Sequence, residues 1–227
     1  MSPISPKPAM SRPESTVGRT DARVTRGEKT RQALIDAAFA EIHRHGYRAA
    51  SLNDILGAAN CTKGSLYHHF PDKHALGLAA ASENIEAFIA ENWLTPLAET
   101  TDPLTTIRGI IQRYVAGETM KDIRLGCPMQ NLSQEMAPLD EDFRHYLNGV
   151  FNRWTDAIAD ALRRGMAAGT VRQSIDPHGL ATIIVATHQG MISLIKTAQD
   201  PMVGANSAPT FFNLLETMRP TPESDAH

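Results

Sequence analysis

The 227-residue chain has little that is suited to cross-links or membranes. Its two cysteines, Cys61 and Cys127, are too few for a disulfide framework and lack zinc-finger spacing. No apolar run approaches the ~18 residues that suggest a membrane span. Residues 1–21 are rich in Ser, Pro and Arg and have no apolar segment, so no secretory signal is expected. A reducing cytoplasm is the expected compartment. Alternating strand patterns and internal repeats are missing. So are a Gly-rich phosphate loop, a Ser-His-Asp arrangement and a G-x-S-x-G elbow, and an enzyme is not expected. Glu135, Asp140, Glu141 and Asp142 cluster at a helix start, where carboxylates are expected to be solvated and to satisfy the dipole. His43, His45, His68, His69 and His74 form no HExxH or Cys/His pattern. Neighbours on one helix point apart, so neither metal nor cofactor is expected.

The composition is that of a soluble globular chain, long enough for one sizeable helical domain or a small domain fused to a larger one. The net charge of -3 argues weakly against nucleic acid, but its distribution matters more. Residues 1–75 carry 11 Lys/Arg against 7 Asp/Glu, and residues 76–227 carry 11 against 18. The basic end can face phosphates while the acidic body stays away.

Helix signals follow one another along the chain, and the fold class read from them is all-α with about nine helices. Residues 1–24, with Pro3, Pro6, Pro8 and Pro13, are expected to form a disordered basic arm. Thr25 and Glu28 fit a capping box, followed by Leu34, Ile35, Ala38, Phe39 and Ile42 on one face and a stop at Gly46. Ser51 caps a short helix whose buried face is Leu52, Ile55, Leu56 and Ala59. Asn60-Cys61 makes a turn. Thr62 caps a third helix, Lys63 to about Phe70, and Asp72 caps a long fourth one through Trp93. Further starts are expected at Asp102-Pro103, Gly126-Cys127-Pro128, Asp140 and Asp176-Pro177. A last helix is expected over about 208–218, with a disordered tail at 220–227.

Two short helices joined by a tight turn behind a longer one are the arithmetic of a helix-turn-helix. In the third helix Leu66 and Phe70 anchor it inward, leaving Thr62, Lys63, Ser65, Tyr67 and His68 on the other face. Gly64 costs helix stability there but allows close approach to another surface. Lys73 follows at the next helix start, where its ammonium and local N–H groups suit a phosphate.

The stretch CTKGSLYHHFPDKHAL resembles the signature of the TetR family of transcriptional regulators. In that signature a small polar pair, Gly, an aromatic-His-Phe run, Pro and Lys recur. The resemblance covers about residues 28–76, including the spacing of all three helices. It implies a DNA-binding domain over 25–75 whose third helix reads the major groove. It also implies that Tyr67 and Lys73 hold phosphates, and that Thr62, Lys63, Ser65 and His68 touch bases or backbone. Ser51 and Gly64 complete the expected DNA-binding set. Cys61 stands where the family more often has a Val-like residue and is read as a small apolar side chain. Arg19, Arg23 and Arg26 either reach into a minor groove or remain a solvated tail.

Over residues 76–219 the family implies a ligand-binding and dimerisation body. Residues 177–198 and about 208–218 are its interface candidates, with Ile184, Met191, Leu194 and Ile195 as half of a four-helix contact. The segment LGCPMQNLSQEM resembles the Gly-Cys motif of TetR-type repressors that respond to electrophiles or small organic acids. Cys127 is then a sensor whose thiol is activated by a helix N-terminus and Arg124, a pocket residue, or a packed side chain. Trp93, Tyr114, Met120, Met129, Phe151, Trp154, His188 and Met191 are pocket candidates, equally suited to a core. The resemblance implies a ligand-responsive regulator, usually a repressor. It would bind a palindromic double-stranded operator as a homodimer, away from membranes, and be released by a small-molecule effector through helix four. The competing reading is a non-specific architectural DNA binder.

Overall fold

A computed structural model describes residues 17–119 and 123–221, with side chains from Arg26 onward. Met120, residues 1–16 and 222–227, and the side chains of Arg19 and Arg23 lie outside the described residues. Among the described residues there is no strand. Among the described residues nine α-helices run in order: α1 Val17–His45, α2 Leu52–Ala58, α3 Lys63–His69, α4 Lys73–Ile89, α5 Pro103–Val115, α6 Pro128–Met136, α7 Glu141–Ala167, α8 Pro177–Ala198 and α9 Met202–Glu216. α4 continues without a break through a wide π turn, Ala90–Leu94, and a last turn, Thr95–Leu97. A short 3₁₀ segment, Ile123–Leu125, precedes α6.

Local chemistry explains most of these boundaries. Side chains of Ser51, Thr62, Asp72, Asp102, Asp140 and Asp176 accept backbone N–H bonds at the starts of α2, α3, α4, α5, α7 and α8. Gly46 ends α1 at φ 84°, a backbone region that costs other residues a steric penalty. Two boundaries differ from the sequence reading. α1 begins at Val17, so the Thr25 capping box is not its start and the arm expected over 1–24 overlaps its first turns. α9 begins at Met202 rather than near residue 208, with Pro209 inside it. Pro201 offers no capping side chain, but Asp200 before it accepts the Met202 N–H at 2.9 Å, an Asp-Pro start like those of α5 and α8.

Two cores result. Leu34, Ile35, Ala38, Ile55, Leu56, Leu66, Phe70, Leu76 and Ala80 pack α1 to α3 against the start of α4. A larger core joins the rest of α4 to α5 through α9. Ile85, Ile89, Trp93 and Leu97 of α4 are all buried in it. A strict spacing of four gains about 40° per step on an ideal α-helix, and the wide turn absorbs that lead and keeps Trp93 facing inward. α8 is long and apolar enough to cross a membrane by length and composition. Here one face of it lies in the core against α7, with His188 and Gln189 among its buried residues.

Candidate functional site

The first site is the outer face of α3. Asn60, at φ 51°, makes the tight turn after α2, and the Cys61 N–H closes it on the Leu56 carbonyl at 2.9 Å. Cys61 is half-buried against the small core, as a small apolar residue would be. Leu66 and Phe70 point inward. Lys63, Gly64, Tyr67 and His68 are exposed, at positions that share a helix face. Tyr67 keeps 56% of its surface accessible, unusual for so large a ring. A Cβ on Gly64 would meet only the Thr62 Oγ1 at 3.8 Å, so no packing inside the chain requires glycine there.

The other expected residues sit around this face in structural roles. Thr62 is exposed, and its Oγ1 accepts the Ser65 N–H at 3.2 Å; Ser65 is half-buried. Ser51 accepts from the Asp54 N–H and donates its own N–H to Glu41, both at 3.3 Å. Lys73 is half-buried, donates to the Arg48 carbonyl at 3.2 Å, and lies 4.9 Å over the Tyr47 ring. Desolvation lowers its pKa, with the Glu135 and Glu41 carboxylates pulling the other way. His69 is half-buried and held below the usual histidine value, first by burial.

Polar contacts of Glu135, His43 and His74 help join this unit to the body. Glu135 of α6 accepts the Tyr47 and Arg48 N–H groups, each at 2.8 Å, with its two carboxylate oxygens. His43 of α1 pairs through Nε2 with the Gly126 carbonyl at 2.7 Å. His74 of α4 meets Asp140 at 3.0 Å and Asp142 at 3.7 Å. The donor atoms of these last three residues lie within 4.8 Å of one another. The Asp140 carboxyl is held below its ordinary range, first by the Phe143 N–H and then by His74. The expectation of a purely solvated carboxylate cluster is therefore corrected. Glu135 and Asp140 are half-buried and committed to long-range bonds, while Glu141 and Asp142 are exposed. Nothing in the local sequence around Glu135 signals this, because its partners lie 88 and 87 positions away.

The second site is a cavity of about 370 Å³ between α5, the 3₁₀ segment, α8 and α9. Ile111, Ile192, Ile195, Ala208 and Phe211 give it apolar walls, Tyr114 and His188 a polar floor, and Arg124 lines its rim. Behind the floor Trp93 stacks edge-on to Trp154 at 4.8 Å and to His188 at 5.0 Å, while Tyr114 meets His188 at 4.5 Å. The Trp93 N–H donates to the Tyr114 hydroxyl at 3.2 Å. Burial drives the His188 pKa down to about 3, so its imidazole is neutral. Burial also pushes the Tyr114 phenol well up.

Of the sequence-derived pocket residues, Tyr114, His188 and Met191 line this cavity. Trp93 and Trp154 form the layer behind it, Met129 is buried in the large core, and Phe151 packs at that core's edge. Cys127 is buried too. Its thiol is pushed up by burial, against the pull of the Gln130 and Met129 N–H groups and the Gln189 amide. Of the three readings open for Cys127, its burial favours a packed side chain, because desolvation works against the helix N-terminus. The interface candidates divide similarly. Ile184 and Ile195 are core residues and Met191 lines the cavity, whereas Leu194 is exposed. The outer faces of α8 and α9 carry Ile183, Leu194, Met202 and Leu214, each more than half exposed.

Similarity to known proteins follows the same division. The family described as bacterial regulatory proteins, tetR family, matches residues 34–80, and the tetracyclin repressor-like C-terminal domain matches residues 103–210. The transcriptional regulator AcuR of Cereibacter sphaeroides is 31% identical over 201 residues, 86% of this chain and 85% of that protein. The HTH-type transcriptional repressor DhaR of a Mycobacterium strain is 29% identical, covering 73% of this chain and 82% of its own length. A crystal structure of a regulatory protein TetR from Rhodobacter sphaeroides superposes with a TM-score of 0.71 at 31% identity, over 80% of this chain and 96% of that one.

Proposed function

The chain belongs to the TetR family of transcriptional regulators, and from that premise we propose that it is a repressor. It grips a palindromic operator as a homodimer and lets go when a small molecule fills the cavity floored by Tyr114 and His188. The observation that carries the DNA reading is the outer face of α3. Lys63, Gly64, Tyr67 and His68 stand together exposed, on a helix whose other side is fixed by Leu66 and Phe70. Lys63 and Tyr67 suit phosphates, His68 and Ser65 suit base edges, and Gly64 lets the DNA backbone come close. Lys73 spends one N–H on Arg48 and keeps two for a phosphate beside the α4 start. Ser51 and Thr62 act mainly by fixing the starts of α2 and α3.

The exposed apolar faces of α8 and α9 support self-association. A two-fold dimer places two recognition helices on half-sites about 34 Å, or a multiple of that, apart. Repression is relieved if occupancy of the cavity favours a body in which that separation is wrong. The coupling then works equally in both directions. Glu135, His43 and His74 bond across the junction between the body and the DNA-reading unit, so a change in α5, α8 or α9 has a rigid route to α1 and to the loop before α2. Selection of bound sequences from random duplex DNA at near-physiological salt tests the reading. Recovery of a palindrome, weakened for Lys63→Ala and Tyr67→Ala proteins, is the expected result. Recovery of no preferred sequence would overturn it.

A further inference from the structure

We propose that the cavity takes an uncharged amphiphile: a compact apolar body, on the order of ten heavy atoms, with one hydrogen-bonding group that reaches Tyr114 and His188. The proposal rests on the reading of this cavity as the effector site and adds the chemistry of the ligand. Size comes first. At ~30 Å³ per liquid water, the cavity corresponds to about a dozen waters. That places its 370 Å³ near the small end of ligand sites.

The walls set the character of the ligand body. Ile111, Ile192, Ile195, Ala208 and Phe211 offer no hydrogen bond, so the part of the ligand they enclose is apolar. The floor sets the polar end. The Tyr114 hydroxyl accepts from the Trp93 N–H at 3.2 Å, and its own O–H has no acceptor among the described residues. His188 makes ring contacts with Trp93, Tyr114 and Trp154 but no hydrogen bond among the described residues. One hydroxyl, carbonyl or ether on the ligand meets both, with the phenol donating and the neutral imidazole donating or accepting.

The same floor disfavours charge. Among the described residues no carboxylate lines the cavity to pair with a cation. Among the described residues its one fixed cation is Arg124, which is exposed to solvent, whereas His188 is buried. An ion at the Tyr114 and His188 end would lose its water and, among the described residues there, meet neutral groups in return.

The chain supplies its own reporter. Its only two tryptophans, Trp93 and Trp154, both touch the His188 ring. Tryptophan emission of the full-length protein is titrated with 1-octanol, octanoate and octylammonium at neutral pH. A saturable change with 1-octanol, at least tenfold tighter than with either ion, is the expected result. Tyr114→Phe should weaken octanol about three- to tenfold, the worth of one hydrogen bond. Ala208→Leu, which narrows the cavity without touching its floor, should abolish binding while the circular-dichroism melt stays cooperative. Octanoate or octylammonium binding as tightly as octanol, octanol binding that neither substitution alters, or no binding of any probe would each overturn the proposal. The titration contains no DNA. Octanol bound with unchanged operator affinity would therefore support the cavity chemistry while sinking its role as the effector site.

Discussion

Truncating Glu135 to alanine should both destabilise the protein and loosen its hold on DNA. In the native fold each carboxylate oxygen accepts one backbone N–H at 2.8 Å, from Tyr47 and Arg48, in the loop that leads from α1 into the DNA-reading helices. A hydrogen bond to a charged group is worth about 1.5–3 kcal/mol when sheltered. The Arg48 bond is exposed, so water replaces much of it, whereas the Tyr47 bond is partly buried. A net loss of about 2 kcal/mol follows, which for a chain of this size lowers Tm by about 4–8 °C. Glu135→Gln should lose at least half as much, because its amide NH₂ faces an N–H and only one acceptor survives. The same loop is held from the other side by Lys73 on the Arg48 carbonyl, so it should shift rather than unfold. Operator affinity should then fall by about tenfold. Thermal melts followed at 222 nm and anisotropy titrations of a labelled operator measure the two effects. A Glu135→Ala protein matching the parent within about 0.3 kcal/mol in stability, with unchanged operator affinity, would refute the reasoning.

Four further outcomes follow from the same geometry. Gly64→Ala should stabilise the fold by about 0.5–1 kcal/mol in urea titrations, yet weaken operator binding, because the only cost of a Cβ there falls on the DNA side; equal or tighter binding would count against contact at α3. His188, whose pKa falls from an ordinary 6.5 to about 3, stays neutral in the fold while the unfolded chain protonates. Stability should therefore drop as pH falls from about 6.5 towards 3, by up to about 1.4 kcal/mol per pH unit, and His188→Leu should flatten that slope in denaturation series between pH 7 and 5. Ile183→Asp with Leu214→Asp, both at exposed positions, should leave helix content intact and yield monomers in sedimentation, with operator affinity reduced at least a hundredfold. In native protein at neutral pH iodoacetamide should modify half-buried Cys61 well before Cys127, which is buried and whose thiol is raised; equal rates would restore the reactive-thiol reading.

What could be read from the sequence was short-range chemistry. Ser51, Thr62, Asp72, Asp102, Asp140 and Asp176 each announce a helix within three residues, and the structure starts a helix at each. The inward faces of α1 and α2 were equally plain from spacing. The start of α9 was missed although Asp200-Pro201 opens it, with Asp200 accepting the Met202 N–H, because Pro209 inside the helix reads locally as a break. Long-range bonds left no trace: Glu135 reads as one more surface acid, and only folding brings it to Tyr47 and Arg48. Cys127 was left with three readings for a related reason. Its place at a helix start is visible locally, but its burial depends on packing within the body core, including Gln189, 62 residues away. The aromatic residues could be picked out as pocket or core candidates, yet which of them line space and which back it is decided by how α4, α5, α7 and α8 meet.

The affinity of the purified protein for its selected operator against a scrambled duplex of equal length, across a range of salt concentrations, tests the central claim most directly. A specific reader should prefer the operator by roughly a thousandfold or more at near-physiological salt, and Tyr67→Ala should shrink that ratio. Equal affinities for the two duplexes, with the same steep salt dependence, would mean that only phosphates are recognised and would contradict the account.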